Sequence, residues 1–223
     1  PASEYIHCLH HEAHAAGSFY QSNFDSALIF SFDGGGNDGC FNVYLGRRRL
    51  GVKLLSHIFN PVSDSPHIYL DLGFPYMLLG HYIEEINKEI DLGAGNLVYP
   101  GKLMGLAPYG EVQENWLSHF YDFYECINNG NTYKKVGSNI GLEFNENKRF
   151  DKETGRNLAA TSQRAFEDIF LKHSKPFIDQ YPDLPICIAG GCGLNITLNT
   201  RIVKELKKEV FVGPNPNDCG LAA

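Results

Sequence analysis

No basic tract longer than Arg47, Arg48 and Arg49 occurs in the 223 residues, and a net charge of −7 is spread along the chain. A phosphodiester backbone is met by clustered lysine and arginine that displace its counterions, so this distribution speaks against nucleic acid as a partner. There is no apolar run near the ~20 residues needed to cross a bilayer, and no signal-peptide pattern, so neither insertion nor secretion is expected. None of the cysteines, Cys8, Cys40, Cys126, Cys187, Cys192 and Cys219, falls in a CxxC pair. Several lie in apolar or glycine-rich surroundings that suit buried free thiols, which points to a reducing cytoplasm. The chain starts at Pro1 rather than methionine and ends on small residues that read as a helix opening, so an excerpt from a longer polypeptide is expected.

What is present is an ordinary globular composition, 43% apolar, and one unusual stretch, HCLHHEAHAAGSFYQSNFDSALIFSFD from His7 to Asp33. It sets four histidines on one predicted helix, residues 4–20, closed near Gly17. Residues four apart share a helix face, so His10 and His14 form one candidate metal pair and His7 and His11 the neighbouring one. The first register is preferred because Ala13, Ala15, Ala16 and Gly17 leave room around its second ligand. An HxxxH pair alone is a weak motif. Asp33 strengthens it: the acid ends an apolar strand, Ser26 to Phe32, and is followed by Gly34, Gly35 and Gly36. Two imidazoles and a carboxylate with open positions are the ligand set of ferrous and other first-row ions that still bind substrate, whereas a closed structural zinc would recruit cysteine.

Periodicity orders the remainder. Strands Cys40–Leu45 and Leu50–His57 follow the first, separated from it by a glycine turn and from each other by the Gly46–Arg49 turn, which makes an antiparallel three-stranded meander. Apolar residues at helical spacing predict a buried helix over 71–90, and others follow over 113–127 and 157–178. Trp116, Phe120, Tyr121 and Tyr124 read as core rather than a stacking surface. GKLMGLAPYG (Gly101 to Gly110) is read either as a nucleotide-contacting loop or as a structured turn. Residues 128–154 read as a polar surface excursion with strand signals near Tyr133 and Leu142–Phe144. Strand Ile186–Ala189, the run Gly190, Gly191, Cys192, Gly193, helix 195–208 and strand 209–212 make a βαβ unit whose helix start offers unpaired N–H groups to an anion. Asp218, ahead of a small-residue run, is by itself read as an N-cap.

Six blocks in order carry a resemblance: HHEAHA (His10 to Ala15), FDGGGNDG (Phe32 to Gly39), GKLMGLAPYG, NLAATSQRAFE (Asn157 to Glu167), AGGCGLN (Ala189 to Asn195) and NDCGLAA (Asn217 to Ala223). Together they resemble the amino-terminal, nucleotide-binding region of the NodU/CmcH carbamoyltransferases, relatives of the tRNA threonylcarbamoyl transferases. The resemblance implies an α/β fold of the ribonuclease-H-like, actin-like ATPase class, as a fragment of a two-lobed domain: residues 1–24 as the last helix of a first lobe and 25–223 as the second. It implies an O-carbamoyltransferase module. ATP and carbamoyl phosphate would be made into carbamoyl adenylate with a separate carboxyl-terminal domain, and the carbamoyl group passed to a small-molecule or sugar hydroxyl. By the same inference a divalent ion of ferrous type would sit on His10, His14, Asp33 and Asp218. Gly34, Gly35, Gly36, Gly190, Gly191 and Gly193, with Lys102 and Asn195, would hold the nucleotide, and the loop reading of GKLMGLAPYG is preferred. His11 is the candidate for acid–base work, against a packing or orienting role. The alternatives carried forward are a tRNA threonylcarbamoyl transferase-like protein and a non-enzymatic actin-like nucleotide-binding module.

Overall fold

The computed structural model of the chain describes residues 8–57, 70–87, 96–125, 132–145 and 148–218. Its strands are β1 Ser26–Gly36, β2 Gly39–Arg47, β3 Gly51–His57, β4 Ile186–Ala189 and β5 Val210–Val212. They form one mixed sheet in the order β3-β2-β1-β4-β5. β1, β2 and β3 are the expected antiparallel meander, while β1, β4 and β5 run parallel. The carboxyl ends of three neighbouring parallel strands therefore open on one edge, the place where α/β sheets present their ligands.

Alternation along β1 divides the core between the two faces of the sheet. Leu28, Phe30 and Phe32 join the larger core, under the helices that follow the meander. Ala27 and Ile29 face the other way, with Tyr44 and Cys187, against Ala15 and Phe19 of α1 (His10–Gln21). The larger face is covered by α2 (Gly73–His81) and α6 (Lys152–Gln180), with α3 (Val98–Leu106) packed on both, α4 (Glu114–Tyr124) on α6 and α5 (Thr132–Ile140) on α4. α7 (Ile196–Leu206) links β4 to β5. Phe170 of α6 sets its ring 5.4, 4.9 and 5.9 Å from those of Phe30, Phe32 and Phe41. Each such phenyl ring, once buried, stabilises the fold by roughly 2–3 kcal/mol. α6 starts where Asp151 accepts a hydrogen bond from the Thr154 N–H at 2.9 Å.

Four expectations are corrected. GKLMGLAPYG is not a loop but α3 followed by a 3-10 turn, Ala107–Tyr109. Tyr99, Leu103 and Ala107, four apart, are buried and anchor one helix face, so Gly101 and Gly105 ride on the other with open space beside them. The helix over 71–90 ends at His81, and its last residues, 88–90, lie outside those described. The strand signals in 128–154 give way to α5, with Val136 buried, while Leu142–Phe144 is irregular chain whose Phe144 ring packs 5.0 Å from Tyr82 and 5.0 Å from Phe150. α1 runs through Gly17 to Gln21, and the predicted residues 4–7, His7 among them, lie outside those described. Phe120 and Tyr124 are core, with Trp116 packed on it. Among the described residues no helix is long and apolar enough to cross a membrane.

Candidate functional site

β1 delivers Asp33, β4 delivers Gly190 and Gly191, and the segment after β5 delivers Asp218, all at the same end of the sheet. α1 brings in His10 and His14 one turn apart. The ligand atoms of His10, His14, Asp33 and Asp218 all lie within 4.8 Å of one another. His14 is the hub: its Nε2 is 3.2 Å from His10 Nε2, 3.4 Å from Asp33 Oδ2 and 3.3 Å from Asp218 Oδ1. His10 Nε2 is 4.0 Å from Asp33 and 3.7 Å from Asp218. Donors held ~2.1 Å from one ion stand roughly 3.0–3.5 Å apart, a spacing that the three His14 distances match and the two from His10 to the acids exceed. The His14 side chain is only 2% exposed and that of Asp218 is 72% exposed, so the cluster is walled on one side and open on the other.

A bulge shapes the strand end. Phe32 pairs with Phe41 and Gly36 with Gly39, so residues 33–35 of β1 face Cys40 alone. Such a break re-aims the side chain it carries. Asp33 Oδ1 accepts the Gly34 N–H at 2.7 Å and Oδ2 the Gly191 N–H at 2.7 Å. Burial by itself would raise its pKa, but the hydrogen bond with His14 and those two N–H groups outweigh it, and the carboxyl is held below the usual range. It is the anionic form, the one that ligates metals, that this environment favours.

Glycine is required where backbone closes in on this acid. Gly190 has φ of +85°, and a Cβ there would stand 2.2 Å from the Phe32 carbonyl oxygen. A Cβ on Gly191 would meet the Asp33 carboxylate at 2.9 Å, and one on Gly36 the His10 ring at 2.6 Å. Gly35 has φ of +148° and nothing within 4 Å of its missing Cβ, while Gly34 sits against Gly73 and Phe74 at the start of α2. Gly193 packs on Ile188 and Pro216.

The other sequence candidates are distributed unevenly. Asn195 caps α7, its Oδ1 accepting from the Leu198 N–H at 3.0 Å, and its amide is fixed by Gln163, whose Nε2 donates to it at 3.0 Å. Lys102 lies on α3 and donates to the Ile86 carbonyl at 3.3 Å. His11 is fully buried. Its Nε2 is 2.9 Å from the Gly39 carbonyl and its Nδ1 2.8 Å from Ser31 Oγ. A carbonyl only accepts, so Nε2 carries the proton and Nδ1 of the neutral ring accepts from the serine. Burial lowers its pKa, against the opposing effects of Asp38 and the Gly39 carbonyl, so the neutral form is favoured. Both ring nitrogens are engaged and the ring is buried, as in the packing or orienting role that stands beside acid–base work for this residue.

Asn37, Asp38 and Gln163 also belong to this region, and no motif in the sequence marks them by itself. Asn37 Oδ1 accepts the His10 N–H at 2.9 Å, and Asp38 accepts the His11 N–H at 3.0 Å. The signal was a lack: the residue before α1 is Leu9, which has no capping oxygen, so the helix start must be satisfied from elsewhere.

A carbamoyltransferase N-terminus family model matches residues 3–223. The chain belongs to that family. Among curated relatives, nodulation protein NolO of Bradyrhizobium diazoefficiens is 29% identical over 96% of this chain and 36% of its own length. Nodulation protein NolNO of Sinorhizobium fredii is 29% identical over 96% of this chain and 29% of its own. Nodulation protein U of the same organism is 28% identical over 96% and 39%. The chain thus spans about a third of the length of these curated relatives. Among solved structures, full-length HypF in its phosphate- and nucleotide-bound form aligns over 97% of this chain and 41% of its own, with a TM-score of 0.54 and 15% identity. That likeness concerns the fold.

Proposed function

We propose that this chain is the group-transfer lobe of an O-carbamoyltransferase, moving a carbamoyl group from carbamoyl adenylate to an acceptor hydroxyl. The observation that carries the reading is the convergence of His10, His14, Asp33 and Asp218 within 4.8 Å. Residue and family point the same way, since two neutral imidazoles and two carboxylates suit a first-row divalent ion, ferrous by resemblance. Bound there, such an ion supplies Lewis acidity to a carbonyl or phosphoryl oxygen. The chain's own residues do the rest. The exposed side of the cluster leaves room for substrate beside Asp218, and the buried side, under His14, excludes water from the ligands. The Gly34 and Gly191 N–H groups are held by Asp33, and the backbone at Gly35, with nothing within 4 Å of its missing Cβ, is where an anion approaches without steric obstruction. His11 has no part in proton transfer in this account and holds α1 to the sheet.

The strand order, with three antiparallel strands followed by two parallel ones, supports a ribonuclease-H-like lobe of the actin-like class. In that reading residues 1–24 are the last helix of a preceding lobe, and 25–223 form the second. ATP and carbamoyl phosphate are the precursors of the adenylate, a carboxyl-terminal domain of the full-length protein processes carbamoyl phosphate, and the site works in the cytoplasm. The test is an assay of the full-length polypeptide with ATP, carbamoyl phosphate and a panel of sugar and small-molecule alcohols, read by a mass gain of one carbamoyl group. Product that requires both nucleotide and carbamoyl phosphate, and is lost in His14→Ala, supports the reading. Absence of product over a broad panel together with no ATP consumption sinks it.

A further inference from the structure

The two elements that carry the ligands are tied together at a point outside the ligand set. α1 holds His10 and His14, and the β1–β2 turn follows directly from Asp33. At the start of α1, the N–H of His10 is taken by Asn37 and that of His11 by Asp38, through Oδ1 at 3.0 Å and Oδ2 at 3.2 Å. Asp38 is itself braced: Asn42 Nδ2 donates to its Oδ2 at 3.4 Å and to its carbonyl at 3.0 Å, and the Tyr44 hydroxyl donates to Oδ2 at 3.4 Å. The His11 ring bonds the Gly39 carbonyl, one residue further along the turn. The His10 ring in turn lies against Gly36, where even a methyl group would come within 2.6 Å of it.

An ordinary cap is local, the side chain of the residue before the helix bonding N–H groups two or three positions on. Here the capping groups lie 27 residues away, on the segment that also carries the acid ligand. Sliding α1 by one residue would move its side chains ~1.5 Å and turn them ~100°, which would take both imidazoles off Asp33. Bonds to two successive N–H groups from one turn suppress both movements.

We propose that Asn37 and Asp38 are positioning residues of the metal centre, fixing the height and rotation of α1 against Asp33 so that its two imidazoles are aimed before an ion arrives. This rests on the reading that the four converging groups hold a metal. The test uses the full-length polypeptide stripped with chelator and titrated with Co2+, following the d–d absorption bands, alongside the melting temperature of the metal-free protein.

The proposal expects Asn37→Ala and Asp38→Ala to weaken Co2+ binding ~10–100-fold, the usual effect of removing an outer support of a metal ligand, and to shift the d–d bands. Their metal-free melting temperature should fall by only about 2–4 °C. Asp38→Asn, which keeps an acceptor oxygen, should stay near wild type in affinity and spectrum. Asp151→Ala, which removes the cap of α6, should lower the melting temperature without changing Co2+ affinity. Unchanged affinity and bands in both alanine variants would reduce the pair to a plain cap, and an equal loss of affinity in Asp151→Ala would reduce the effect to general destabilisation. If Asp38→Ala fails to fold, Asn37→Ala decides alone by the same readouts. Wild-type protein that takes up no Co2+, or takes it up undiminished in His14→Ala, overturns the metal-site reading itself and the positioning role with it.

Discussion

His14 is the side chain with most at stake, because its Nε2 touches each of the other three ligands while the ring is almost wholly buried. Removing it takes out the shared vertex and leaves Asp33 facing a cavity. Asp218 reaches the cluster from an exposed position, so Asp218→Asn is expected to weaken divalent-ion affinity ~10-fold, and His14→Ala by well over that, both measured by metal titration. A second residue-scale prediction concerns Glu125, whose Oε1 accepts from Lys172 and lies 2.8 Å from His173 Nε2. Burial would raise its pKa, but the hydrogen bonds from Lys172 and His173 hold it below the usual carboxylate value. The stability it adds is complete above the unfolded value of about 4.3 and is lost as pH falls through the lower folded value. The stability gap between wild type and Glu125→Gln in urea melts should therefore shrink below about pH 4.3, and a gap independent of pH would count against the pairing. HxxxH and the strand-terminal Asp33 are legible from spacing alone. Asp218 is not, because nothing local distinguishes a ligand carried in from the far end of a chain from an N-cap.

The elements are placed by alternation and by glycine. β1 and β2 are readable because their mostly apolar runs, buried almost throughout, are bounded by glycines, and β4 because a short apolar run ends in glycines. GKLMGLAPYG reads as a loop because glycine in sequence marks a turn, whereas in α3 a buried four-residue rhythm holds the helix and the glycines occupy its outer face. At Gly190 and Gly73 the same residue type is indispensable for another reason. A Cβ on Gly73 would come within 2.3 Å of the Gly34 nitrogen, forcing α2 away from the turn that follows Asp33. Gly73→Ala is expected to weaken metal binding with modest loss of stability, while Gly190→Ala, with its positive φ added to the contact at Phe32, should cost about 2–3 kcal/mol or more in chemical denaturation. Phe170→Ala opens the aromatic cluster at the centre of the larger core and should cost about 3–5 kcal/mol.

At the scale of the molecule, one sheet edge gathers chemistry from both ends of the chain: α1 and β1 from the first forty residues, β4, α7 and the 213–218 segment from the last forty. The order of six short blocks makes that legible in the sequence, where no single block would. The antiparallel-then-parallel strand order completes the frame. Two-lobed actin-like proteins place nucleotide between lobes, so in the proposed architecture this chain alone offers one wall, and its affinity for an adenine nucleotide should be at least ~10-fold below that of the full-length polypeptide by calorimetry. The proposed metal site, by contrast, takes its four candidate ligands, His10, His14, Asp33 and Asp218, from the described residues of this chain. The most direct measurement is the metal content of this chain purified without chelator, by elemental analysis, beside His14→Ala. The account predicts close to one first-row divalent ion per wild-type chain and almost none in the variant. Folded wild-type protein that cannot be loaded with any such ion, or a variant that retains it in full, would contradict the account.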